Sequence, residues 1–282
     1  MDIQLAFKKN REMISISDLR LVRTLLFLPA SNPRAIEKAR GLAADMIVLD
    51  LEDAVKPADK DRARAEAVAA VRAGFGGRPV AIRANGRTTP WYGEDALAIR
   101  DSGAACAILP KPDTAKEVRD FAYLAQLPVL AMIETARGVL GAEAIAPLSA
   151  GLVAGTNDLA ADLAIPPGAG RAGLAHSLQR IVLAARAHGI AAFDGVYNRL
   201  DDEAGLAEQC REGRAFGFDG KSLIHPSQIE VANRLFGPSD EELDAAARLV
   251  AAATGGAERF EGRMIETLHV EQARAVLAKA RR

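Results

Sequence analysis

The chain has 282 residues, of which 49% are hydrophobic and 26% charged, and carries a net charge of −1. A chain of this length buries a sizeable core as one large domain or two small ones, so fold class has to come from pattern. Near-neutral charge excludes nucleic-acid binding through the whole surface and confines any basic site to a local patch.

The two cysteines, Cys106 and Cys210, stand far apart with no CxxC pair, which argues against a disulfide framework or a structural zinc site and suits a reducing cytoplasm. The opening stretch MDIQLAFKKNREMISISDLR has no apolar run of a signal peptide's length and is interrupted by Asp2, Glu12 and Asp18. No later stretch is long and apolar enough for a membrane span, so a soluble, cytoplasmic protein is expected.

Residues 1–20 read as an N-terminal tail. From there, short apolar runs alternate with longer Ala-rich segments of helical spacing, the rhythm of βα units. Eight runs are expected as strands: Thr24–Pro29, Met46–Leu51, Val80–Arg83, Ala105–Leu109, Val129–Ile133, Leu152–Ala154, Ile190–Phe193 and Lys221–Ile224. Helices are expected over Pro33–Leu42, Asp59–Ala73, Asp95–Ser102, Ala115–Ala125, Leu174–His188 and Glu203–Phe216. Strands such as MIVLDL and VLAMIE are apolar on both faces, which predicts a parallel sheet covered by helices; eight alternations predict closure into a TIM-type (β/α)₈ barrel. The competing open, doubly wound sheet would place GxGxxG after its first strand, and LLFLPASNP has none. The barrel is bounded at 21–236, with a helical extension over 237–282 in which Ser239–Ala253 and Thr267–Lys279 flank a polar segment, Gly255–Arg263.

Barrel enzymes gather their chemistry at the C-terminal ends of the strands. Here strand two ends in Asp50-Leu51-Glu52-Asp53, strand three in Arg83, strand four in Lys111 and strand five in Glu134. Strand six runs into Gly155-Thr156-Asn157-Asp158, strand seven into Asp194 and strand eight into His225. Any one of these acids can be explained as the cap of the following helix, but so many in one mouth exceed what a structural rim requires. Glu134 and Asp158, on neighbouring strand ends, offer hard carboxylate oxygens for one Mg²⁺ or Mn²⁺ with positions left for substrate and water. Asp50, Glu52 and Asp53 stand close enough to hold metal-bound waters or act as a base. Arg83 supplies a fixed positive fork for a substrate carboxylate or an enolate oxygen. Gly155, Thr156 and Asn157 are expected to contact substrate.

These residues lie within long motifs: RTLLFLPASNPRAIEKA, DMIVLDLEDAV with Lys60 and Arg64 beyond it, IRANGRTTPW, ILPKP, MIETARGV, GTNDL and GFDGKSLIHPSQIEVANRLFGPS. In their order, from Arg23 to Ala278, they make the chain resemble the citrate lyase β-subunit-like group of the HpcH/HpaI aldolase superfamily. The resemblance implies Glu134 and Asp158 as Mg²⁺ ligands, Arg83 against the keto-acid portion, and Glu52 and Asp53 on metal-bound waters. It also implies a lyase that makes or breaks the bond between a small 2-keto acid and an acyl-CoA enolate, with citramalyl-CoA, malyl-CoA and citryl-CoA left unseparated. A metal-dependent aldolase on free pyruvate or oxaloacetate and an aldehyde, or a lyase subunit needing an acyl-carrier partner, are the alternatives; a homo-oligomer, trimer or hexamer, is expected. Two departures stand out. Pro29-Ala30 replaces the common Pro-Gly, and Glu266 stands where relatives usually carry an Asp implicated in proton transfer or thioester hydrolysis at a neighbouring subunit's site. One extra methylene displaces that carboxylate by about 1 Å, which weakens a role demanding close geometry.

Other signals have plainer readings. Ala215–Ser222 imitates a P-loop but follows a helix and opens a strand, the reverse of the required context. Lys111 as a Schiff-base lysine competes with a salt-bridged role beside so many acids. No HExxH is present, and His225 before Pro226 fits a hydrogen bonder at a helix entry. Trp91 and Tyr92 are expected to pack in the core rather than wall a pocket. The charges of Asp59–Ala73 read as a solvated face, and Arg34, Lys38 and Arg40 as surface charges that need no CoA phosphate.

Overall fold

The structure is a computed structural model and describes residues 14–280. Every apolar run is a strand: β1 (Thr24–Pro29), β2 (Met46–Asp50), β3 (Val80–Arg83), β4 (Cys106–Pro110), β5 (Val129–Ile133), β6 (Gly151–Ala154), β7 (Ala191–Asp194) and β8 (Gly220–Leu223). They pair in parallel, each with the next, and β8 returns to β1 with Leu25 opposite Ser222, closing the barrel. The closure is tight at Gly220, where a Cβ would press on the carbonyl oxygens of Val22 and Arg23.

Alternation along the strands sorts side chains into two cores. Leu25, Met46, Val48, Ala81, Cys106, Ile108, Leu130, Met132, Val153 and Phe193 cluster in the barrel interior, while the residues between them, such as Leu26, Ile47, Leu49, Ile82 and Leu109, pack under the helices. From β2 to β8 every strand position is buried, as runs apolar on both faces require.

The helices are α1 (Ile16–Leu19), α2 (Pro33–Ala39), α3 (Lys60–Ala73), α4 (Tyr92–Ser102), α5 (Ala115–Ala125), α6 (Ala136–Ile145), α7 (Thr156–Asp162), α8 (Ala175–Ala187), α9 (Glu203–Phe216), α10 (Ile229–Phe236), α11 (Asp240–Ala252) and α12 (Thr267–Lys279). Gly103 and Gly217 end α4 and α9 in the left-handed region, at φ +92° and +98°. Replacing Phe121, fully buried on α5 against Tyr92, by alanine is expected to cost about 3–5 kcal/mol in urea unfolding, with the barrel interior across the strand wall unchanged.

Three expectations are corrected. Within the stretch read as tail, α1 is a helix capped by Ser15, and its Leu19 is buried among the interior residues of the barrel; the rest of the tail, residues 1–13, lies outside the described residues. The polar segment Gly255–Arg263 contains an antiparallel hairpin, β9 (Glu258–Phe260) with β10 (Arg263–Ile265), turning through Glu261 and Gly262, both at positive φ. The face of α3 is not wholly solvated, because Lys60 is only 5% exposed and Arg64 is paired with the buried Asp95 at 2.7 Å. Cys106 and Cys210 are free and buried, as apolar fillers are. No helix among the described residues is long and apolar enough to cross a membrane.

Candidate active site

Interior parity carries on past the strand ends, and it determines which polar residues meet. Asp50 continues the inward series of Met46 and Val48, Arg83 that of Ala81, Glu134 that of Leu130 and Met132, and Gly155 that of Val153. A cavity of about 420 Å³ opens there, lined by Asp50, Asp53, Arg83, Glu134, Gly155, Thr156, Asn157 and Asp158 together with Phe27, Met132, Val196 and Asn198. Glu52 stands behind this wall, 8% exposed, and reaches the lining residues through its ion pairs.

Arg83 is the fixed point of the site. Its Nε and Nη2 donate to Oδ1 and Oδ2 of Asp50 at 2.6 and 2.7 Å, a bidentate fork. Its Nη1 lies 2.9 Å from Glu52 Oε2, and its guanidinium carbon 5.4 Å from the Phe27 ring centroid. Asp50 also accepts from the amides of Glu52 and Ala54 at 2.9 and 3.1 Å, which folds the acidic turn around it. Burial pushes the Asp50 carboxyl upward, but the charge and hydrogen bonds of Arg83 and those two amides outweigh it and hold it below the usual range. Burial would lower the Arg83 guanidinium, yet Asp50, Glu52 and Glu134 raise it, so it stays charged.

The opposite wall is built from β4 to β6. Lys111, at φ 51°, takes a left-handed turn that aims its amide at Glu134 Oε1, 3.0 Å away. Its ammonium bridges Glu52 Oε1 and Asp158 Oδ1, both at 3.2 Å, which is the salt-bridged role and leaves it firmly protonated. Glu134 is 2% exposed, and its carboxyl is pushed up to about 8, first by burial and then by the charge of Glu52. Burial likewise raises Glu52. Gly155 is required here, since a Cβ would overlap the Cβ and Oε2 of Glu134. Asn157 and Asn198 exchange amide hydrogen bonds at 2.7 and 3.3 Å, tying the β6 and β7 loops together.

The donor set fits a hard divalent cation. Five carboxylates (Asp50, Glu52, Asp53, Glu134 and Asp158) face two cations, Arg83 and Lys111, and the buried Glu52 Oε2 has an ion pair but no hydrogen bond. A metal between Glu134 and Asp158 would supply the missing positive charge to the acid that burial holds most strongly protonated. Among the described residues no three His, Cys, Asp or Glu side chains form a ready cage, so two carboxylates would share such an ion with water and substrate. Gly155→Ala is expected to lower Mg²⁺ affinity about 10-fold or more by displacing Glu134, measurable by calorimetry on folded protein.

Two strand-end residues do not join the site. Phe193 points inward, so Asp194 points out to the helix layer, where it is fully buried between Lys221 Nζ at 2.9 Å and Arg171. His225 is exposed and caps the turn before α10, accepting from the Ser227 amide at 3.2 Å. Trp91 stands beside Lys60, 5.3 Å from its ammonium, and Tyr92 packs on Phe121. Arg40 pairs with Glu37 and stacks on Phe75, while Arg34 and Lys38 are exposed. Glu266 caps α12 and is exposed, away from this cavity. Ala30, where Gly is common, is buried and donates its amide to the Asp50 carbonyl.

Residues 23–226 match the family described as HpcH/HpaI aldolase/citrate lyase, and residues 173–282 match a carbon–carbon bond lyase family of the TIM-barrel fold. The chain is 43% identical over 268 residues to a (3S)-malyl-CoA thioesterase of Cereibacter sphaeroides, covering 92% of this chain and 94% of that protein. It is 34% identical over 283 residues to citrate lyase subunit beta of Leuconostoc mesenteroides, covering 93% and 94%. The crystal structure of CitE from Mycobacterium tuberculosis with magnesium, acetoacetate and coenzyme A is similar at TM-score 0.79 and 35% identity, covering 93% of this chain and 100% of that one. A structure of the citrate lyase beta subunit from M. tuberculosis with oxaloacetate and magnesium matches at TM-score 0.69 and 35% identity, covering 78% and 100%. The chain belongs to the HpcH/HpaI aldolase/citrate lyase family.

Proposed function

We propose that this chain is a Mg²⁺-dependent carbon–carbon lyase that splits, or forms, a malyl-CoA, citramalyl-CoA or citryl-CoA type thioester into acetyl-CoA and a 2-keto acid. The observation that carries the reading is Arg83, pinned by Asp50 and facing the same cavity as Glu134 and Asp158. When bound, Mg²⁺ supplies the Lewis-acid charge that eases loss of the substrate's hydroxyl proton. Asp50 holds the Arg83 fork still, so that its charge faces the carboxylate of the keto-acid half or the enolate oxygen as negative charge develops there. Glu52, buried and raised, is suited to hold a proton beside Arg83 and Lys111. Gly155, Thr156 and Asn157 line the wall beside Glu134 and limit how far the keto acid enters.

Purified protein with Mg²⁺ is expected to convert malyl-CoA into equal amounts of glyoxylate and acetyl-CoA; turnover that survives EDTA would sink the metal assignment. A free 4-hydroxy-2-keto acid cleaved in preference to any CoA ester would establish the aldolase alternative, and an inert isolated chain the carrier-dependent one. The similarity to a malyl-CoA thioesterase favours a second reading, hydrolysis of the same thioester, which releases free CoA rather than acetyl-CoA in that assay. The free buried thiols support a reducing, cytoplasmic setting. Exposed Leu140, Leu183 and Met264 support a homo-oligomer, trimer or hexamer, which light scattering would size.

A further inference from the structure

Lys60 lies outside the cavity, yet it is a cation that packing has driven beneath the acidic turn. It is 5% exposed, and its ammonium spends all three protons on the Leu51 carbonyl at 2.6 Å, the Glu52 carbonyl at 2.7 Å and Asn85 Oδ1 at 2.6 Å. Asn85, itself buried two residues beyond β3, is oriented by Asp95, which accepts from its side-chain amide at 2.7 Å and its backbone amide at 2.9 Å. Arg64, one turn along α3 from Lys60, holds the other Asp95 oxygen at 2.7 Å. The Trp91 ring lies 5.3 Å from the ammonium and covers it. The chain Arg64–Asp95–Asn85–Lys60 therefore ends on the two carbonyls on either side of the Glu52 α-carbon. Glu52 in turn reaches Arg83 at 2.9 Å and Lys111 at 3.2 Å, from two different strand ends. A carboxylate that must touch both cations tolerates little backbone drift.

We propose that Lys60 is a positioning residue of the lyase reaction: by fixing the Leu51–Glu52 backbone it sets Glu52, and through Glu52 the aim of Arg83 and Lys111. This rests on the lyase reading above. Lys60 touches no substrate, so its effect passes through Glu52 and vanishes when Glu52 is gone.

The test is a double-mutant cycle on the full chain with Mg²⁺ and malyl-CoA, alongside calorimetric binding of oxaloacetate with Mg²⁺. Lys60→Met is expected to lower kcat about 10–100-fold while KM changes less than about threefold. Adding Lys60→Met to Glu52→Gln should cost less than about threefold more, whereas the Lys60→Met loss should multiply with that of Asn198→Ala across the cavity. A merely structural weakening would couple to both partners alike. If Lys60→Met does not fold, Asn85→Ala, which removes one of the three acceptors, is expected to show the same coupling with a smaller drop. A kcat within about twofold of the parent, or losses at Lys60 and Glu52 that multiply, would overturn the proposal. A parent that binds oxaloacetate but leaves malyl-CoA intact sinks the lyase reading alone, and the Lys60–Glu52 coupling is then read from oxaloacetate affinity. A parent that does neither overturns both.

Discussion

Arg83→Met is expected to lower kcat/KM for CoA-ester cleavage by about 10²–10³-fold, the loss typical of removing one preorganised donor from developing negative charge. The size of the effect follows from how completely the guanidinium is fixed. Two of its nitrogens are committed to Asp50, so no reorganisation is needed when substrate arrives. The same substitution strands Asp50, which is fully buried, and Glu52 beneath it; breaking a buried pair by removing one partner costs about 3–5 kcal/mol. Because Arg83 holds the Asp50 pKa low, the pair's stabilisation is present above the ordinary carboxylate pKa and is lost as pH falls through the depressed one. The variant should therefore lose stability at neutral pH and show a shallower acid transition in urea titrations. Arg83→Lys keeps the charge but not the fork and is expected to recover only a small part of the activity. Recovery of most of it would show that the bidentate geometry is immaterial.

Glu134 carries the second large effect. Its carboxyl titrates near 8 in the metal-free protein because burial and the nearby Glu52 disfavour its charge. A carboxyl raised above its unfolded pKa contributes stability that is fully present below that pKa and lost as pH rises through the folded value. Metal-free protein should accordingly melt at progressively lower temperature from about pH 5 to pH 8, and Glu134→Gln should flatten that dependence. Mg²⁺ needs the carboxylate, so its apparent affinity should rise about tenfold per pH unit up to pH 8, with close to one proton released per ion. Glu134→Gln should abolish saturable Mg²⁺ binding and reduce cleavage to background. Unchanged proton release in that variant would place the titrating group elsewhere.

How far the sequence displays this site depends on whether position or facing is at issue. The apolar runs MIVLDL and VLAMIE mark β2 and β5 with their polar ends, and such runs are enough to locate Asp50, Arg83, Glu134 and Asp158 at one barrel mouth. Facing needs the two-residue period as well. Asp194 ends β7 as Glu134 follows β5, but Phe193 takes the inward position and turns Asp194 to the helices. Lys60 is hidden by composition, since a helix dense in Lys, Asp, Arg and Glu reads as solvated. Its spacing does carry the signal: Lys60, Ala63, Ala67, Ala70 and Val71 recur at helical period and are the buried face of α3. The β9–β10 hairpin has strands of three residues, too short for alternation to register, and only Gly262 at φ +81° marks its turn. The special backbone of Lys111 left no trace, because a lysine at φ 51° is held there by its surroundings, not by preference.

Whether Glu134 and Asp158 share one metal in front of Arg83 is tested most directly by a crystal structure of the protein soaked with Mg²⁺ and oxaloacetate. It should show an octahedral ion about 2.0–2.2 Å from a carboxylate oxygen of each residue, with the keto acid on the ion and its carboxylate toward the Arg83 guanidinium. An ion seated instead among Asp50, Glu52 and Asp53, or a keto acid bound away from Arg83 with no metal contact, would contradict it.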